Sequence, residues 1–342
     1  MKVNTLQLRR ALSAALFVLL LSVAGTKNAL AQNQVATLQH NDTITGVFYG
    51  QNALVMAHNA AVAGDIITLS SGTFNSCNIG KSIAIHGAGC IYDSVTNVLP
   101  TIVTGSFQYS NNITFEGIWF TDCIDGYHTV AFSNVHFVKC YIDFIQGSYV
   151  YNPNRFNFQF VNCIVKSFNS ENFTGTTIIN SVVKFTAYGH PDIHNPTNIY
   201  NSVIEFTDGL PINNLIAYNS IITTVSGHNV SNCTFFNCIG IETGETSLFE
   251  GQTVQSTMEV NSYEDVFETF DGTISYDNIY QLKNDIATSF LGHDGTEVGI
   301  YGGAMPYRTR PNYMIIKNSN VAGRTTEDNK LNVEIELLNV GE

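Results

Sequence analysis

The residues able to do chemistry are acidic and cluster in one part of the chain. Asp122, Asp125 and Asp143, with Lys166 beyond them, are residue types that carry acid–base chemistry or hold a cation. A carboxylate there would serve as general base or calcium ligand, and the lysine would steady a carboxylate-bearing substrate. These four are the catalytic candidates, and calcium is the possible cofactor. Against the repeat described below, Asp143, Lys166, Lys184 and Glu205 fall three residues after the same reference position in successive units. Asp143 and Glu205 are three units apart, or ~14 Å at the inter-strand spacing. Glycosidase carboxylates stand ~5–9.5 Å apart, so that pair is too wide. The competing reading is a solvated β-face of mixed charge. Arg, suited to bidentate carboxylate binding, is scarce: Arg155 is the only one between Arg10 and Arg308.

A second group suits binding rather than bond breaking. Trp119, His136 and Gln159 are assigned to one outward column, and Tyr127 and His128 to a neighbouring loop. Aromatic rings and amides on a flat β-face suit the apolar and hydroxyl sides of a sugar. These five are the ligand-binding candidates. His190-Pro191-Asp192-Ile193-His194 has metal-ligand types, but reads better as a polar loop. The sequence contains no Ser-His-Asp motif, nucleophile elbow or dinucleotide fingerprint. Gly87-Ala88-Gly89 lacks the helix and lysine of a phosphate loop and reads as a turn.

What must position these residues is a repeat. Tyr200-Asn201-Ser202-Val203-Ile204-Glu205-Phe206 has near-copies at Ile179–Phe185 and Tyr218–Thr224. With the small residue as position zero, the series is Cys123, Cys140, Cys163, Ser181, Ser202, Ser220 and Cys238. The steps are too short for a pair of helices. Turn formers occupy the columns one and six before zero, mostly Asn and Gly. Between them apolar residues alternate, as in Phe158 and Phe160, which predicts a strand with one buried face. Each unit is then turn, strand, Asn turn, second strand and a variable connection. Stacked Asn side chains one before zero are expected to form a hydrogen-bonded ladder. The column one after zero (Tyr141, Ile164, Val182, Val203, Ile221, Ile239) is apolar where strict alternation turns it outward. Either the Asn turn is wider than assumed or the stripe is a contact surface.

With the crossover rule, these features predict an all-β fold. It is a right-handed parallel β-helix solenoid with an N-terminal helical cap and a small C-terminal β appendage. From about Gly64 to Gly251 the chain resembles the pectin-lyase-like β-helix superfamily of secreted bacterial type. The resemblance implies that enzymatic relatives cleave acidic polysaccharides with acidic residues, often with calcium, and Arg or Lys.

Residues 1–31 read as a secretory signal: Lys2, Arg9 and Arg10, an apolar core over Ala11–Val23, and Ala29-Leu30-Ala31. Removing its four bases takes the net charge from −13 to −17, which argues against nucleic-acid partners. The expected divisions are a cap over 32–63 with a helix over 52–63, the β-helix with its closing segment over 64–305, and a β appendage over 306–342. The appendage is a candidate for docking to the cell envelope. The seven cysteines are expected to be mostly stacked thiols, because Cys and Ser alternate in one column. The functional reading is a secreted or cell-surface scaffold that binds glycan or adheres. The alternative is a polysaccharide lyase or glycoside hydrolase on the same fold.

Overall fold

The corners of the repeat are made by left-handed backbone. The computed structural model describes residues 34–94, 98–125, 132–146, 155–169, 175–186, 197–207, 210–224, 229–242, 247–270, 272–275, 277–308, 314–321 and 333–339. One corner carries Asn112, Asn134, Asn157, Gly175, Asn214 and Asn232, with φ between 53° and 66°. The other carries Gly117, Lys139, Asn162, Asn180, Asn201, Asn219 and Asn237, with φ between 45° and 65°. Gly and Asn tolerate this region at least cost, which is why they recur.

Between and after the corners run the two strands of each rung. Like strands of successive rungs pair in parallel, as in Val135↔Phe158 and Val203↔Ile221. The first strands join a 12-stranded sheet and the second strands an 11-stranded sheet. The fold is an all-β parallel β-helix. Its interior is a column of buried rings: Phe115, Phe137 and Phe160 stack at 5.1 and 5.6 Å. Phe168, Phe185 and Phe206 follow at 5.4 and 5.0 Å. Each buried ring contributes about 1.5–3 kcal/mol of transfer free energy.

Position zero is small for a hydrogen-bonding reason. Ser181 Oγ accepts the Cys163 N–H at 2.9 Å and donates to Ile179 O at 2.7 Å. Ser202 and Ser220 repeat both bonds one rung on. Cys163 Sγ takes the same place, 3.5 Å from the Cys140 nitrogen and 3.4 Å from Val161 O. All seven cysteines are free thiols.

The structure corrects the register of one rung. Tyr141 pairs with Trp119 and Phe144 with Cys123, so Ile118, not Cys123, holds position zero there. A large residue fits because Gly87 lies beneath: a Cβ on Gly87 would stand 2.9 Å from Ile118 Cγ1 and 2.4 Å from Gly117 O. The Gly87-Ala88-Gly89 stretch is thus a close backbone contact. Its three N–H groups are spent on Glu116 O, Thr101 Oγ1 and Gly117 O. The expected ladder also moves. It forms at the other corner, where Asn134 Nδ2 donates to Asn112 Oδ1 at 2.8 Å and Asn157 Nδ2 to Asn134 Oδ1 at 2.7 Å.

The apolar stripe after position zero does face outward, and the chain's own C-terminal segment covers it. Tyr141, Ile164, Val182, Val203, Ile221 and Ile239 form a second core with Val266, Phe267, Tyr280, Leu282, Val298 and Ile300. The covering segment was expected to close the C-terminal end. Instead it folds back along the solenoid as a strap. Asn237 binds Leu291 O, Asn219 binds the His293 N–H, and Asn180 binds Ile300 O and Gly302 O. Asn162 accepts from the Arg308 N–H. Asn162, Asn180, Asn219 and Asn237, all one before zero, therefore serve the strap instead of each other.

At the other end a helix, α1 (Ala53–Ala60), packs its buried Ala53, Leu54 and Ala57 into the core. Lys81 Nζ gathers the carbonyls of His58, Asn59 and Ala61 at its C-terminus. An antiparallel hairpin that the sequence reading missed precedes it: β1 (Val35–His40) and β2 (Thr43–Tyr49). β1 pairs antiparallel with Ile66–Leu69, so the hairpin finishes the 12-stranded sheet. Beyond the strap, Met314–Val321 and Val333–Asn339 pair as a separate antiparallel hairpin.

Candidate functional site

The proposed catalytic residues share the outward side of the second sheet, but most already have partners. Asp122 Oδ2 accepts the Gly105 N–H at 2.8 Å and the Thr121 hydroxyl at 3.1 Å. Asp143 Oδ1 lies 3.3 Å from Lys166 Nζ, both partly exposed. Asp125 pairs in register with Gln146, three residues along the strand from Asp143. The structure therefore brings Asp143 and Lys166 together and directs Asp122 and Asp125 elsewhere. One rung further, Lys184 makes an ion pair with Glu205. Glu205 is buried, and the phenol of the strap's Tyr263 is near enough to feel its charge. Burial, with the Glu205 charge adding, pushes the Tyr263 phenol up to about 12. Among the described residues, no three His, Cys, Asp or Glu side chains converge as a metal ion requires.

The binding candidates divide between two faces. Trp119 sits one residue after position zero, not four before. Its ring meets Tyr141 edge-on at 5.4 Å and packs on the second core beside the strap. It is therefore apart from His136 and Gln159, which are neighbours on the first sheet. Tyr127 and His128 lie outside the described residues, as do His190, Asp192 and His194.

His136 and Gln159 belong to a longer row. Register pairs run Thr114↔His136, His136↔Gln159, Gln159↔Thr177 and Thr177↔Asn198. All five side chains are half-buried and lie on the outward side of the strand. Burial lowers the His136 pKa, so its imidazole is neutral at neutral pH and both donates and accepts. Two residues further along, the strand of Thr114 carries Glu116, and from the next strand on runs an apolar row, Val138, Val161 and Ile179, continued by Tyr200, Tyr218 and Phe236. Tyr200 stacks on Tyr218 at 5.5 Å and Tyr218 on Phe236 at 4.8 Å, nearly parallel. Their faces are spent on each other, so the stack offers edges and hydroxyls. The sequence carried this signal in the phrase Tyr-Asn-Ser, whose tyrosine precedes the turn by one residue.

No protein-family model matches this chain, and no curated protein matches its sequence. Among solved structures it is similar to a polygalacturonate lyase fused with a self-assembling amphipathic peptide. The identity is 12% and the TM-score 0.23, over 62% of this chain. The match spans 64% of that protein's length. The class of protein defined here is a β-helix scaffold, read from its own strands and registers. No helix among the described residues is long and apolar enough to cross a membrane.

Proposed function

We propose that this is a secreted or cell-surface β-helix that binds glycan on the outward face of its first sheet and does not cleave it. The observation that carries this reading is the row Thr114, His136, Gln159, Thr177 and Asn198. Uncharged donors and acceptors recur there at the ~4.8 Å strand spacing, beside a parallel apolar row. A sugar chain has the same two-sided character, with hydroxyl edges and apolar ring faces. Secretion rests on the signal-like Met1–Ala31.

Cleavage is the second reading, favoured by Asp143 and Lys166 standing 3.3 Å apart on a partly exposed face. Against it, Asp122 is already hydrogen-bonded to Gly105 and Thr121, and Asp143 is paired with Lys166, so neither carboxylate stands free to meet a substrate proton. The test is retention of the mature chain on gels containing plant, algal and host polysaccharides, with and without calcium, beside assays for new reducing ends and unsaturated products. Retention lost in His136→Ala and Gln159→Ala, with no product, supports binding. Product that disappears in Asp143→Ala replaces binding with catalysis. Silence in every arm removes both and leaves a structural role.

A further inference from the structure

The outward face of the first sheet is narrow across its strands and long along the solenoid axis. Between its two corners each first strand turns two side chains outward, such as His136 and Val138. Two residues along a strand span roughly 7 Å, whereas every further rung adds ~4.8 Å along the axis. From the rung of His136 and Val138 to that of Thr253 and Gln255, the outward positions hold no acid, and no base other than His136. Charge begins one rung before His136, at Glu116, which lies 3.9 Å from His86.

The face is also close to flat. Neighbouring strands of an ordinary sheet are rotated by roughly 20–25°. Here the rings of Tyr200 and Tyr218 lie 5° from parallel, and those of Tyr218 and Phe236 lie 16° from parallel. A straight ribbon can therefore follow these rungs without being turned off the surface.

These features select an occupant. An acidic polymer would bring like charge to a chain of net charge −13, and no Lys or Arg among those outward positions would receive it. A chain that coils would leave a flat face after a few units. A neutral pyranose chain joined through equatorial bonds is straight and flat, and each sugar is about as long as one rung is high. Its hydroxyl edges and apolar ring faces meet a polar group beside an apolar one at every rung from His136 and Val138 to Asn198 and Tyr200. Granted the glycan-binding reading above, on which this rests, we infer that the ligand is a neutral, equatorially linked polysaccharide lying along the solenoid axis, not across the strands.

The test is titration calorimetry of the mature chain with three oligosaccharide series of increasing length. Cello-oligosaccharides are neutral and straight, malto-oligosaccharides neutral and coiled, and β-1,4-glucuronic oligosaccharides straight and acidic. Affinity for the cello series is expected to rise roughly fivefold per added sugar from trimer to hexamer, the worth of one net hydrogen bond. The other two hexamers should bind at least about tenfold more weakly, a difference of about 1.4 kcal/mol. Thr177→Glu, in the middle of the row, should cost the cello hexamer about tenfold and the trimer far less, because a trimer still fits on either side. Circular dichroism checks its fold. A malto or glucuronic hexamer that binds as tightly as the cello hexamer overturns the ligand class. Affinity that stops rising at the trimer, or equal losses for both lengths in Thr177→Glu, overturns the axial direction. No heat from any series, with the chain still retained on polysaccharide gels, overturns this inference and leaves glycan binding standing. Loss of retention as well removes both.

Discussion

The side-chain amide of Asn180 donates to Ile300 O at 2.9 Å and to Gly302 O at 2.7 Å, 120 and 122 residues further along the chain. The same residue sits at φ 45° and turns the corner between its two strands. One asparagine therefore does two tasks, and a pair of substitutions separates them. Asn180→Gly keeps the left-handed corner and removes two hydrogen bonds to the strap, although Ile300 O keeps the Tyr307 N–H. It is expected to cost about 2 kcal/mol, from roughly 1 kcal/mol per lost hydrogen bond. Asn180→Ala adds left-handed strain of about 1 kcal/mol. Urea unfolding of both variants checks the order, with Ala below Gly below wild type. Equal stability of the Gly variant and wild type would show that the strap does not depend on this bond.

The two ion pairs of the second sheet should differ in worth. Asp143 and Lys166 are partly exposed, and such pairs contribute about 0–1 kcal/mol. Glu205 is nearly enclosed, so its removal leaves Lys184 facing a drier site. Glu205→Ala is expected to destabilise by about 2 kcal/mol or more. Asp143→Ala should stay below about 1 kcal/mol. Thermal unfolding of the two variants, at low and high salt, measures the difference. A larger loss at Asp143 would mean that the strap does not shield Glu205.

Much of this architecture was legible in the sequence, and its failures have physical causes. Asn and Gly at the corners announce a backbone conformation, so both turn columns were found. Cys123 is small but does not hold position zero, because smallness alone does not mark it. At Ile118 the space comes from Gly87 in the rung below, which a local pattern does not show. Counting from Cys123 carries Trp119 onto the wrong face. The outward apolar stripe is visible as an anomaly, but its cover is bonded to the column beside it from 54 to 146 residues away and has no periodicity. The site divided likewise. His136 and Gln159 were found as column members, whereas Asp122's bond to Gly105 depends on an irregularity between Ile142 and Phe144.

The position-zero column predicts which substitutions the solenoid accepts. Ser202→Cys reproduces the arrangement of Cys163 and should cost less than about 1 kcal/mol. Ser202→Ala leaves the buried Ser181 N–H without its acceptor, at about 1–3 kcal/mol. The thiols follow the same logic. Cys90, Cys140, Cys163, Cys233 and Cys238 are buried and should resist a thiol reagent in the native protein. Cys77 and Cys123 are partly exposed, but burial pushes both up to about 11, so labelling should be slow at pH 8. More than two thiols labelled before unfolding would contradict the buried column.

Acid should loosen the N-terminal end first. Asp65 is buried, which by itself raises its pKa. The Val62 N–H at 2.8 Å and the His40 ring at 2.6 Å outweigh that and hold the carboxyl below its ordinary value. A group depressed in the folded state stabilises it above the unfolded pKa, ~3.9 for Asp. That contribution is lost as the pH falls through the folded value. His40 ends β1, so the bond ties the hairpin to the first rung. Wild type is expected to lose stability progressively below about pH 4. Asp65→Asn, less stable near neutrality, should show a shallower slope over the same window. Hydrogen exchange at β1 and β2 in wild type should accelerate there ahead of the rungs around Ser202. Parallel slopes for the two proteins would place the acid-sensitive contact elsewhere in the fold.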